Sequence, residues 1–154
     1  MVEFAFERMD EARPGVEAVI PAHWAEFGDS ALDCKPNWQI YKAFDSRGAL
    51  VVVTARDEGV LVGYMIGLIY PHQSATDYSI AQVPTYFVVE RPGRALILSR
   101  MVDLMLQTLA SRGVYKIDAW TTAGHSAGRL WERKGFAVDK IGYSLKLKPG
   151  VRHA

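Results

Sequence analysis

Along the first part of the chain Val16, Val19, Ile20, His23 and Phe27 recur at helical spacing, which predicts a helix from about Pro14 to Phe27 with one mostly apolar face. Gly28 follows where a helix terminator belongs. Asn37 is a suitable N-cap for a short second helix running through Trp38, Tyr41 and Phe44 to Gly48. The pattern then changes. Ala49–Arg56 (ALVVVTAR) and Val60–Tyr70 (VLVGYMIGLIY) are dense in Val, Ile and Tyr, and Asp57-Glu58-Gly59 separates them, which reads as an antiparallel hairpin. The polar, mixed stretch from Pro71 to Pro84 reads as a loop, with room for a turn of strand, and Thr85–Val89 (TYFVV) as a further strand.

The clearest helix comes next: Leu98, Met101, Val102, Met105, Leu106 and Leu109 step by three, one, three, one and three, and Gly113 ends it. Tyr115–Thr121 supplies a strand, Ser126 to Lys134 a shorter helix ending at Gly135, and Val138–Leu147 (VDKIGYSLKL) alternates as a final strand. A hairpin followed by strand–helix–strand units implies one α/β domain over residues 1–154, with a mixed, mostly antiparallel sheet flanked by helices on both faces.

Composition narrows the chemistry. With 18 Lys+Arg against 17 Asp+Glu the net charge is +1, so no long-range field argues for a nucleic-acid or membrane partner. Cys34 is the single cysteine, which excludes an internal disulfide and a Cys-rich zinc site, and the four His (23, 72, 125, 153) fall at no metal-ligand spacing; no metal is expected. The N-terminal residues lack the basic-then-apolar order of a secretion signal, and the longest apolar stretch, Val60–Tyr70, is about half the ~20 residues of a spanning helix. The expectation is a cytoplasmic protein.

The segment Glu90-Arg91-Pro92-Gly93-Arg94-Ala95 joins a strand directly to the longest helix. Such a turn points backbone N–H groups and the positive end of the helix dipole at one spot, which suits a phosphate. Gly93 lets a ligand approach closely, and Arg91 and Arg94 add charge-assisted donors. A glycine kept only for turn geometry is the plainer alternative.

With these elements in this order, FVVERPGRAL resembles the strand–loop–helix segment of GNAT N-acetyltransferases, which ends in a Q/R-x-x-G-x-G/A turn. Gly93 and Ala95 match the small positions and leave Glu90 where Gln or Arg is usual; a register two residues along puts Pro92 there instead. HSAGRLWERKGF is similar to the family's N-x-x-A-x-x-L-Y-E-x-x-G-F ending, with His125 in the Asn place, Trp131 in the Tyr place, and Leu130, Glu132, Gly135 and Phe136 in agreement. Leu61–His72 bears a weaker resemblance to phage and prophage members.

The resemblance implies transfer of an acetyl group from acetyl-CoA, as co-substrate, to a primary amine of a small molecule or protein, by direct attack. It implies that Val88 and Val89 lie along the pantetheine arm and that Arg91, Gly93, Arg94, Ala95 and Leu96 hold the pyrophosphate. Trp131 has no ionisable hydroxyl, so it fits stacking against cofactor or core rather than proton donation. An attacking amine must lose a proton, and the candidate bases are Glu26 at the end of the first helix, His72 just past a strand, and Glu90 ending the central strand. His23 reads as a packed histidine, and Trp24, Trp38, Tyr41 and Phe44 as core or as lining of an acceptor site. A homodimer is left open. The alternative reading is a catalytically impaired module of the same fold, used for binding or assembly.

Overall fold

The computed structural model describes residues 1–147. Its elements are β1 (Val2–Glu7), α1 (Met9–Phe27), α2 (Trp38–Ser46), β2 (Leu50–Asp57), β3 (Val60–His72), β4 (Ala75–Val88), α3 (Arg94–Ser111), β5 (Lys116–Ala119) and α4 (Ala127–Arg133). The strands form one sheet in sequence order, antiparallel throughout except where β5 joins β4 in parallel.

Alternation on β2 sorts the two faces. Val51, Val53 and Ala55 point to a cluster with α3, where Met101, Met105 and Leu109 are buried; Leu50 and Val52 point to a second cluster with Met9, Ala12, Val16 and Val19 of α1. Each of the Val, Leu and Met side chains among them contributes roughly 1.5–3 kcal/mol when withdrawn from water. The glycines that interrupt the apolar run of β3 have a packing reason. A Cβ on Gly67 would meet Met105 Sδ at 2.9 Å, and one on Gly63 would meet Met101 Sδ and Phe87 O at 3.1 Å. The long helix therefore lies close against the sheet.

The helices, the β2–β3 hairpin and the mixed sheet match the sequence reading, and Asn37 accepts the N–H of Ile40 as the cap of α2. Three segments differ. The chain opens with β1 rather than a helix, and α1 starts at Met9. β1 is a six-residue edge strand, too short for alternation to stand out; Arg100 and Arg112 of α3 cover Phe4 and Phe6 at 5.9 and 5.2 Å. Pro71 to Pro84 is strand rather than loop, since Pro71 pairs with Ser79 and Tyr70 with Ile80. Much of that end of the hairpin stays in solvent, so its ladder is made by backbone alone and no apolar pattern marks it. Val138–Leu147 forms no strand: Ile141, Tyr143, Leu145 and Leu147 are exposed. Alternation marks which side chains would share a face, but a strand also needs ladder bonds to a neighbouring edge, and this segment makes none.

Candidate active site

The parallel pairing of β4 with β5 covers only Ile80–Val83 opposite Lys116–Ala119. β4 runs on to Val88, paired on its other side with β3 from Thr85↔Ile66 to Val88↔Gly63. From Pro84 to Val88 one edge of the strand is therefore open. Val89 donates its N–H to Val62 O at 2.9 Å. Amide direction alternates along an antiparallel strand, so the N–H of Val88 turns the opposite way, toward the open edge.

A cleft of about 790 Å³ lies at that opening, between the end of β4, the first turn of α3, and α4. Gly93 starts the helix in the left-handed region (φ +76°), with nothing near its absent Cβ. Ile97 N–H returns to Gly93 O and Arg94 N–H to Arg91 O, whereas the N–H groups of Ala95 and Leu96 meet no acceptor among the described residues. These donors stand at the positive end of an 18-residue helix.

The cations around the cleft differ in their freedom. Arg94 is clasped by Glu26 at 2.7 and 2.8 Å and by Glu90 at 2.8 Å, with the Glu26 bond foremost in raising its pKa, and its guanidinium sits 5.5 Å from the Phe87 ring. Arg91 bonds Asp57 at 2.6 Å, which holds the Asp57 carboxyl below its usual range, while Arg91 Nε is buried without a partner. Lys134 pairs with Asp103. Arg129 and Arg133 line the cleft and form no ion pair among the described residues.

On the other side of Phe27 lies a second cavity of about 440 Å³, walled by α1, α2 and β3, with Trp24, Trp38, Tyr41 and Tyr64 among its aromatic sides. A third, of about 280 Å³, links the two: Tyr86 and His125 face it and the first cleft, His23 and Thr85 face it and the second cavity, and Phe27 borders all three. His23 stacks on Phe87 (4.7 Å, 6°) and shares a 2.6 Å hydrogen bond between Nδ1 and Tyr64 Oη. Burial lowers the His23 pKa against the opposing pull of Glu26, and burial pushes the Tyr64 hydroxyl up.

The structure brings Val88, Arg94, Ala95, Leu96 and Glu90 together on the first cleft. Glu26 reaches it only through its bond to Arg94. The Val89 amide is spent on β3 and Arg91 on Asp57. Two expected residues are elsewhere. His72 sits at the far end of the β3–β4 hairpin, opposite Ala75 and accepting from Ser74 N–H, nine residues along β3 from Gly63. Trp131 is 6% exposed, packed on Phe136 and Tyr86, and lines none of the three cavities. Its indole N–H points at Tyr86 Oη (3.4 Å), so a strand tyrosine stands beside the helix position that carries a tryptophan.

Sequence reasoning missed Tyr86, Arg129 and Arg133 as site residues and took His23 as packing. Tyr86 falls two residues before Val88 in an alternating strand, which was the available signal; Arg129 and Arg133 are four apart on a short helix, hence on one face.

No family model and no curated protein matches the sequence. Solved structures do match its shape. A ribosomal-protein-alanine N-acetyltransferase from Brucella melitensis biovar Abortus 2308 superposes with a TM-score of 0.68 at 19% identity, over 96% of this chain and 99% of that one. Glucosamine-6-phosphate N-acetyltransferase from Arabidopsis thaliana gives 0.72 at 14% identity, over 96% and 99%. An aminoglycoside acetyltransferase from an uncultured soil metagenomic sample gives 0.72 at 12% identity, over 96% and 97%. The chain has the GNAT fold.

Proposed function

We propose that this chain, folded as a GNAT domain, is an N-acetyltransferase that moves an acetyl group from acetyl-CoA to a primary amine by direct attack. The observation that carries the reading is the opening between β4 and β5, where an outward strand amide and two unpartnered helix amides face one cleft. The proteins it resembles in shape act on a ribosomal-protein alanine, glucosamine 6-phosphate and aminoglycosides, which supports an amine acceptor.

The residues present fit the coenzyme. Ala95 and Leu96 N–H, with the open space at Gly93, suit a diphosphate, and Arg129 and Arg133 offer further free donors. Arg91 and Arg94 contribute once they exchange Asp57, Glu26 and Glu90 for phosphate oxygens. Val88 N–H suits a carbonyl oxygen that gains negative charge during attack. Acetyl-CoA supplies an activated thioester, whose thiol leaves readily because its pKa is ~8.5. Tyr86 lines the same cleft, and its hydroxyl, which donates to Trp120 O at 2.8 Å, is the candidate to return a proton to the sulfur after giving up that bond. Glu90 is exposed beside the turn, and Glu26 is a base only after releasing Arg94. No helix among the described residues is long and apolar enough to cross a membrane, which accords with a cytoplasmic enzyme.

Acetyl-CoA at 100 times its Kd should stabilise the fold by roughly 2.7 kcal/mol, read as a rise in Tm, and thiol should be released when amines are added. Absence of any shift with acetyl-CoA and with CoA overturns the reading. A shift without thiol release over a broad amine panel replaces it with a binding module.

A further inference from the structure

We infer that the aromatic cavity between α1, α2 and β3 is the acceptor site, that it takes a primary amine carried on a flat apolar body, and that His23 accepts the amine's proton. The inference rests on the transferase reading and deepens it.

The cavity's walls argue the substrate class. Trp24, Phe27, Trp38, Tyr41 and Tyr64 present ring faces, with Val16, Ile20 and Ile66 between them. Part of the wall's polar capacity is already used internally: Trp24 Nε1–H donates to Leu32 O at 3.2 Å, and Tyr64 bonds His23. The charged lining residues are Asp33 and Lys35, of opposite sign. A polyhydroxylated or polycationic amine would surrender its hydration here without enough partners to replace it. An arylalkylamine fits better, since the ring faces bury its aromatic body and it carries a single amine to be desolvated.

The position of His23 argues its role. It faces both this cavity and the small one that opens to the β4–β5 cleft, so a group on its ring lies on the path between acceptor and thioester. Tyr64 from β3 and Phe87 from β4 hold the ring, and Glu26 is the charged group acting on it from its own helix. As a base, His23 requires the tautomer whose Nδ1–H donates to Tyr64 Oη, in which Nε2 keeps its lone pair; Nε2 makes no hydrogen bond among the described residues. The ammonium gives one proton to Nε2. The freed lone pair forms the C–N bond, the C–S bond breaks with its electrons on sulfur, a second N–H proton ends on that sulfur, and His23 returns its proton to solvent. The apolar surroundings help by favouring the neutral amine.

The test is thiol release with acetyl-CoA and three probes: 2-phenylethylamine, glucosamine 6-phosphate and an aminoglycoside. The expected kcat/KM is at least about tenfold higher for 2-phenylethylamine, and Trp24→Ala should raise its KM by roughly tenfold while the acetyl-CoA Tm shift persists. His23→Gln should lose at least about 100-fold in kcat and the acidic limb of the pH–rate profile, again with the acetyl-CoA shift intact. Tyr64→Phe, which keeps the ring, should move that limb. Turnover that favours either sugar amine overturns the acceptor class, and an unchanged rate and pH profile in His23→Gln together with Tyr64→Phe overturns the base. Loss of turnover with every amine in the wild-type chain defeats the transferase reading instead, so the two failures are distinguishable.

Discussion

The two larger cavities meet at Phe27 and are both walled mainly by apolar residues, yet they differ in what stands among those residues. The cleft beside β4 adds the first turn of a helix and the cations Arg94, Arg129, Arg133 and Lys134, with Arg94 paired to Glu26 and Glu90. The cavity beneath α1 and α2 is made of rings whose polar atoms bond one another. A site built from the backbone needs little from side-chain identity, so it survives wide sequence change. A site built from rings is written residue by residue. The chain keeps the shape of its structural neighbours at 12–19% identity, so the fold tolerates wide change in side chains.

Phe87 joins the two halves, with Arg94 near one part of its ring and His23 stacked on it. Phe87→Ala should therefore cost the most, about 3–5 kcal/mol of stability, read by denaturant unfolding. A cost under about 1 kcal/mol, the range of a mild, volume-conserving swap, would mean that the halves stand independently. Next in size, Arg129→Ala with Arg133→Ala should weaken acetyl-CoA binding by about tenfold per lost phosphate contact, ~1.4 kcal/mol each, and flatten its salt dependence in calorimetry. Unchanged affinity would assign the charge complement to Arg91 and Arg94. The smallest effect concerns acid. Because burial lowers the His23 pKa, the unfolded chain binds the proton better, so stability is fully present above the ordinary value of 6.5 and falls as pH drops through it toward the folded value. His23→Gln should remove that slope between neutral and mildly acid pH in thermal unfolding. A slope that persists in the variant places the acid sensitivity elsewhere.

Much of the cleft was legible along the chain, because a glycine turn opening a strongly periodic helix is a local signal; Gly93, Arg94, Ala95 and Leu96 stand where that signal puts them. The ring-lined wall of the second cavity was not. Trp24, Tyr41 and Tyr64 come from three elements, and nothing in their spacing says that they face one space. Trp131 shows the same limit from the other direction: the helix motif marks its place, but only the packing shows its indole buried and Tyr86 supplying a hydroxyl beside it.

By itself the sequence determined α2, α3, α4, the β2–β3 hairpin and the glycine turn before α3, since periodicity and capping act between residues close in the chain. Tertiary structure decided the rest. It made most of Pro71–Pro84 strand, left Val138–Leu147 paired with no strand, carried His72 away and set His23 between two cavities. Each of these outcomes depends on which edge or face a segment meets after folding, and that is a property of contacts between residues distant in the chain.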